Sequence, residues 1–183
     1  TAGRSPGGAF TPLSQIVDRL LRLMQHLPRG DRIEFVSTLP AGTGVRMEAD
    51  DLSEVLGNLL DNARQWAATR VTVLLEQSVR GPWRLVVEDD GPGFSPDRLA
   101  LAGLPGHPHP SRRESNGLGL GITRDILAEY DTDLDIRSQP GACRVSFGVE
   151  TAALPVAIGQ RQTAAVKLTR QSLVGKDTKE TGI

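Results

Sequence analysis

Apolar residues at Leu13, Ile16, Val17, Leu20, Leu23, Met24 and Leu27 recur at three- and four-residue spacing, which predicts an amphipathic helix. Thr11-Pro12 opens it as a capping hydroxyl followed by proline at the first helical position, and Pro28 and Gly30 close it. Two short strands are predicted next, at 32–38 and 45–48, with the turn-forming LPAGTG between them. A second helix is marked by Leu52, Val55, Leu56, Leu59, Leu60 and Ala63 on one face, and Asp51 with Glu54 resembles a capping box at its start. Val71, Val73 and Leu75 alternate along 70–77, Leu85 and Val87 along 83–89, and Arg80-Gly81-Pro82 turns one strand into the other as a hairpin.

Regular periodicity then stops between Gly91 and Gly117, a stretch with five prolines and several glycines. A segment of that length inside a compact domain reads as a lid or as disorder. A third helix is predicted over 118–130, and a last hairpin pairs 134–138 with 143–149 across Gln139-Pro140-Gly141-Ala142. Cys143, Val145, Phe147 and Val149 share one face of the final strand, so Cys143 reads as a small core residue rather than a reactive thiol. Helices mixed with antiparallel strands predict an α+β fold, a two-layer α/β sandwich in which helices cover one face of a mixed sheet. Residues 1–10 are small and Gly/Pro-rich and read as linker, 11–150 as the domain. Residues 151–183 carry five Lys/Arg against two Asp/Glu with no sustained stripe. They read as a mostly disordered tail, with a short docking helix around 163–173 as the alternative.

Composition adds exclusions. At 183 residues and 19.6 kDa the chain has room for one core plus tails. With 21 Lys+Arg against 22 Asp+Glu the net charge is −1, which argues against a non-specific nucleic-acid or membrane-surface binder. One cysteine can form neither an internal disulfide nor a metal cluster. No apolar run is long enough to cross a bilayer. The chain starts without Met or a signal-peptide pattern and reads as a piece of a longer polypeptide.

Three clusters carry candidate chemistry. Asn58 and Asn62 lie four apart on the second helix, with Glu54 one turn earlier. Their carboxamides can offer oxygens to a cation or NH2 groups to phosphate, or can serve as an ordinary polar face. Val87-Glu88-Asp89-Asp90-Gly91-Pro92-Gly93 ends a strand on acids and breaks into a glycine turn. Asp89 shares the parity of Leu85 and Val87, so it faces the buried side, where a carboxylate needs donors such as the exocyclic amine of a purine. The plainer reading is a β-turn that begins on Asp. Asn116-Gly117-Leu118-Gly119-Leu120-Gly121 leads into the third helix, where glycines admit a ligand to unpaired N–H groups and the positive end of the helix dipole. It is neither a P-loop nor a Rossmann fingerprint.

Taken in order, the N-x-x-x-N helix, the D-x-G-x-G strand end, the long lid and the G-x-G helix start resemble the N box and glycine boxes of the Bergerat-type ATP-binding fold of sensor histidine kinases, Hsp90, DNA gyrase and MutL. Gly57-Asn58-Leu59-Leu60-Asp61-Asn62-Ala63 and 87–93 are most similar to sensor kinases of the PhoQ type. The resemblance covers roughly residues 11–150. It implies that Asp89 binds the adenine amino group, with Gly91 and Gly93 shaping the wall around the base. Asn62 and Asn58 would hold Mg2+ against the triphosphate of ATP, and Gly117, Leu118, Gly119 and Leu120 would admit the phosphates. Asn58 stands where the ATP-hydrolysing relatives place a water-activating Glu, which favours a kinase domain that waits for an acceptor.

Departures are equally specific. Gln65 and Trp66 occupy the places where the kinases have Lys-Tyr, so a phosphate-contacting ammonium is missing from the ATP site. The lid lacks the usual Phe-containing box and its arginine, for which Arg112 and Arg113 are the nearby substitutes. Ser115 occupies the place of the glycine expected before Gly117. His26, His107 and His109 lack the run that surrounds a phosphoacceptor, so the acceptor histidine is expected on a separate dimerisation domain, with a response regulator downstream. The fragment is expected to be a monomeric, cytoplasmic domain, of a membrane-anchored sensor or not, touching neither nucleic acid nor membrane. The expected activity is transfer of the γ-phosphoryl of Mg-ATP to that histidine. The alternatives are a degenerate nucleotide-binding sensor or interaction module, and a serine-directed anti-sigma-factor kinase of the same fold.

Overall fold

The computed structural model describes residues 10–77, 81–94, 118–153 and the backbone of 164–168. Among the described residues three α-helices, α1 (Leu13–His26), α2 (Ala49–Trp66) and α3 (Leu118–Ala128), accompany a six-stranded sheet. Its strands are β2 (Glu34–Leu39), β4 (Arg70–Gln77), β5 (Trp83–Asp89), β6 (Asp135–Gln139), β7 (Ala142–Val149) and β9 (Ala164–Leu168), in the order β6-β7-β5-β4-β2-β9. Only β2 and β4 run parallel, connected through α2, so the sheet is mixed. A second sheet, β1-β3-β8, joins Thr11–Pro12 (β1), Thr43–Val45 (β3) and Thr151–Ala153 (β8). This is the predicted α+β two-layer sandwich.

Strand alternation decides which face is core. Val71, Val73, Leu85, Val87, Cys143, Val145, Phe147 and Val149 point one way and are buried under the helices. From the helical side, Leu52, Val55, Leu56, Leu59, Leu60 and Ala63 of α2 fill the same layer. On the opposite face Glu76, Glu88 and Arg144 form ion pairs, as do Arg84, Asp135 and Arg137. A two-layer sandwich needs such a polar outer face, because water covers it.

The structure corrects several local expectations. Thr11–Pro12 is not a helix start: it pairs with Gly44 and Val45, and the Thr11 hydroxyl donates to the Met47 carbonyl at 2.6 Å instead of capping α1. On α1 the core position is Leu21, fully buried, whereas Leu23 is 53 % exposed. The capping box at Asp51 does not form. Helix α2 begins at Ala49 without a side-chain cap, and Asp51 accepts a hydrogen bond from Tyr130 instead. Within the expected tail, Thr151–Ala153 and Ala164–Leu168 are strands, so the described part of the alternative docking helix, 164–168, is extended; 163 and 169–173 lie outside the described residues. Ala164–Leu168 pairs antiparallel with β2 and extends the sheet at that edge. Backbone hydrogen bonds to an open edge organise a segment that has no amphipathic stripe to announce it.

Candidate functional site

Helix α2, the end of β5 and the start of β7 converge on a cleft lined by Asn62, Trp66, Asp89, Gly93, Phe94 and Cys143. Asp89 is the last residue of β5 and faces the helical layer in the same row as Val71 and Cys143, as its parity predicts. It is 5 % exposed. Its Oδ1 accepts from the Gly91 N–H at 2.9 Å, and the Cys143 thiol donates to the carboxylate. Burial, with Asp90 and Glu88 adding repulsion, pushes Asp89 up to about 6 against these two hydrogen bonds. An ionised carboxylate offers about four lone-pair positions, so acceptor capacity remains for a donor entering the cleft.

The neighbouring acid behaves oppositely. Asp90 lies on the outer parity and caps the start of β4, accepting from the N–H groups of Ala68, Thr69 and Arg70 at 2.9–3.0 Å and from the Thr69 hydroxyl at 2.5 Å. Burial raises it, but these donors outweigh burial and leave Asp90 below the usual carboxylate range. One acid of the pair is structural and the other faces the cleft.

Both glycines of the turn are required by space. A β-carbon on Gly91 would stand 2.4 Å from the Trp66 carbonyl oxygen and 2.7 Å from Asp89 Oδ1. Gly93 has φ +76, and its β-carbon would meet Ser138 Oγ at 2.5 Å. Ser138 Oγ accepts from the Phe94 N–H at 2.6 Å, which fixes the first residues after the turn against β6. Cys143 confirms its reading as a core thiol: burial and the adjacent Asp89 push it up to about 12. Its position in the cleft wall was not legible, because register alone puts it opposite Asp89.

Asn58 and Asn62 are half-buried one turn apart on α2. Asn58 reaches α3: a β-carbon on Gly119 would lie 3.4 Å from its Oδ1, and its Nδ2 is buried without a hydrogen-bond partner among the described residues. An orphaned buried amide at a glycine-opened helix start is a place for an oxygen-rich ligand. The unpartnered Nδ2 is a donor and suits a phosphate oxygen, while Mg2+, which usually takes one or two carboxylates with phosphate and water, would meet here only the neutral oxygens of the two carboxamides. Leu120, on α3, is partly buried and packs against the core.

Gln65 does not face this cleft as a free group. Its Nε2 donates to Asp61 Oδ2 at 2.7 Å, while Arg64, 8 % exposed, holds Asp61 Oδ1 and also donates to the Pro28 carbonyl. Trp66 ends α2 and lines the cleft. Arg112, Arg113 and Gly117 lie outside the described residues, as do His107 and His109, and only the backbone of Leu118 is described. His26 is exposed at the end of α1, its Nδ1 2.7 Å from the Arg22 carbonyl. No described helix is long and apolar enough to cross a membrane.

The chain resembles known proteins in sequence and in fold. The chain is 38 % identical over 121 residues to the sensor protein kinase CarS of Pseudomonas aeruginosa, an overlap of 66 % of this chain and 27 % of CarS. It is 31 % identical over 138 residues to the two-component sensor PhoQ of the same organism, covering 74 % of this chain and 31 % of PhoQ. The chain thus spans between a quarter and a third of the length of these relatives. Among solved structures, the mycobacterial sensor histidine kinase MprB superposes with a TM-score of 0.68 at 26 % identity, over 80 % of this chain and all of that one. Residues 47–153 match the model of the histidine kinase-, DNA gyrase B- and HSP90-like ATPases. Since that match spans more than half of its residues, the chain belongs to the histidine kinase-, DNA gyrase B- and HSP90-like ATPases.

Proposed function

We propose that this chain is the nucleotide-binding catalytic domain of a two-component sensor kinase, binding Mg-ATP and presenting its γ-phosphoryl to a histidine on a separate domain. The observation that carries the reading is the buried Asp89 carboxylate, held on the inner face by Gly91 and Cys143 and turned to a cleft walled by Trp66 and Phe94. A purine amine is the matching donor. Asp89 accepts it, Gly91 and Gly93 let the backbone close around the ring, and Asn58, Asn62, Gly119 and Leu120 flank the triphosphate at the start of α3. Magnesium, when bound by the two carboxamides, supplies charge neutralisation on the phosphates. The protein's own contribution is orientation and electrostatic preorganisation. The acceptor domain and a response regulator are the partners this reading requires, and the relatives' names, sensor kinases, favour both.

Titration calorimetry with a non-hydrolysable ATP analogue and Mg2+ tests it. Saturable heat that disappears in Asp89→Ala is expected, and no heat at millimolar nucleotide overturns it. One observation favours a second reading, nucleotide binding without transfer: Gln65 replaces an ammonium and is tied to Asp61. Mixing the chain with a matching acceptor domain and labelled ATP separates the two, since acid-labile label on histidine rejects the second reading.

A further inference from the structure

Tyr130 follows the end of α3 and is not among the residues that line the cleft. Its hydroxyl donates to Asp51 Oδ2 at 2.5 Å and accepts from the Glu48 N–H at 3.1 Å, both at the start of α2. Helix α2 has no side-chain cap of its own, so this phenol supplies from 79 residues away the contact that a local cap would make. Burial and the Asp51 carboxylate push its ionisation up to about 12, so it stays a neutral donor. The same end of α3 is fixed twice more. Leu127 is fully buried, and Thr132, whose N–H donates to the Leu127 carbonyl, accepts from the Gly148 N–H at 2.9 Å. At the opposite end, Gly119 faces Asn58, seven residues (roughly 10 Å) along α2 from Asp51. The two helices are therefore antiparallel, pinned at one end and closely approached at the other, where the proposed phosphate contacts lie.

We infer that Tyr130 is a positioning residue: its bridge to Asp51 and Glu48 sets the register of α3 on α2 and thereby the fit of Gly119 and Asn58 around the phosphates. This rests on the nucleotide-binding reading, but the geometry it governs is a property of the ligand-free chain. Because the pin joins α3 to the start of α2, while Trp66 lies at the other end of α2 and Asp89 on β5, its loss is felt by the triphosphate and not by the purine. Asp51→Asn keeps an acceptor for the phenol, whereas Asp51→Ala removes it.

The test compares Tyr130→Phe with the unsubstituted chain. With Mg2+ and a non-hydrolysable ATP analogue, affinity is expected to fall roughly five- to tenfold, less than the full worth of a hydrogen bond to a charged partner because the effect is passed on through a helix. Adenosine, which reads only the Asp89 cleft, is expected to bind unchanged. Asp51→Ala should reproduce the loss and Asp51→Asn should restore most of it. Equal losses for both ligands, or none for either, overturn the inference, the first by showing a purely structural role. The side-chain amide resonances of Asn58 in ligand-free protein give a readout independent of nucleotide: Tyr130→Phe is expected to shift them, and unchanged resonances overturn the inference. If the unsubstituted chain binds no nucleotide, the functional reading falls while the Asn58 resonances still decide the role of Tyr130.

Discussion

At the scale of single residues, Asp89 shows what a buried acid costs its own fold. Its carboxyl moves from an ordinary 3.8 to about 6 on folding. Below about pH 4 it is protonated whether folded or unfolded, and no burial cost arises. Above about pH 6 it is charged in both states and the cost is complete. Its contribution to stability therefore falls as pH rises from about 4 to about 6. Two units of pKa correspond to about 3 kcal/mol. Asp89→Asn, which keeps an acceptor for the Gly91 N–H, is expected to be about 1–3 kcal/mol more stable at pH 7 in urea denaturation. It should also lose that part of the pH slope. The same variant should bind ATP analogues at least about tenfold more weakly, since a charge-assisted bond is lost. In the unsubstituted chain nucleotide affinity should fall as pH drops through about 6. A variant no more stable than its parent at neutral pH would refute this account of Asp89. Parity made the acid legible in sequence. Its thiol neighbour was not, because pairing Asp89 with Cys143 needs the register of β5 on β7.

At the scale of elements, α2 was readable almost whole. All six of its expected apolar positions are buried, since one face of the helix meets both the sheet and α1. Helix α1 was readable only to its margins. Taking about 100° per residue, Leu21 and Leu23 sit roughly 80° to either side of the stripe centred on Leu13, Ile16, Val17, Leu20 and Met24. Spacing cannot choose between them. Tertiary packing does, and buries Leu21. Leu21→Ala is thus expected to cost about 2–5 kcal/mol in chemical denaturation and Leu23→Ala less than about 0.5. Comparable losses would contradict the burial. The capping box at Asp51 misled for a related reason: a motif of two residues was outcompeted by a phenol distant in sequence and near in space. Both misses arise where tertiary partners, rather than local pattern, settle the outcome.

At the scale of the molecule, the order β6-β7-β5-β4-β2-β9 leaves the sheet with one edge covered by residues beyond the family match, which ends at 153. Nothing in the composition of 164–168 signals a strand in the way β5 does. Its partner, the open edge of β2, supplies the reason. Removing 154–183 is expected to leave the helices and the Asp89 cleft intact while amides of β2 exchange with solvent about tenfold faster or more, as read by hydrogen exchange. Unchanged protection in β2 would show that the added strand contributes no stability. The cleft itself lies on the other side of β4, so nucleotide affinity should not respond to the truncation.

Asp89 belongs to the row of residues that elsewhere forms the hydrophobic layer, with Trp66, Phe94 and Cys143 as its walls. A purine entering there would complete the interior as a missing plug, instead of resting on the surface. Its association should then carry the thermal signature of dewetting. The binding heat should grow more exothermic on warming, with a negative heat-capacity change that shrinks when Phe94 or Trp66 is made smaller.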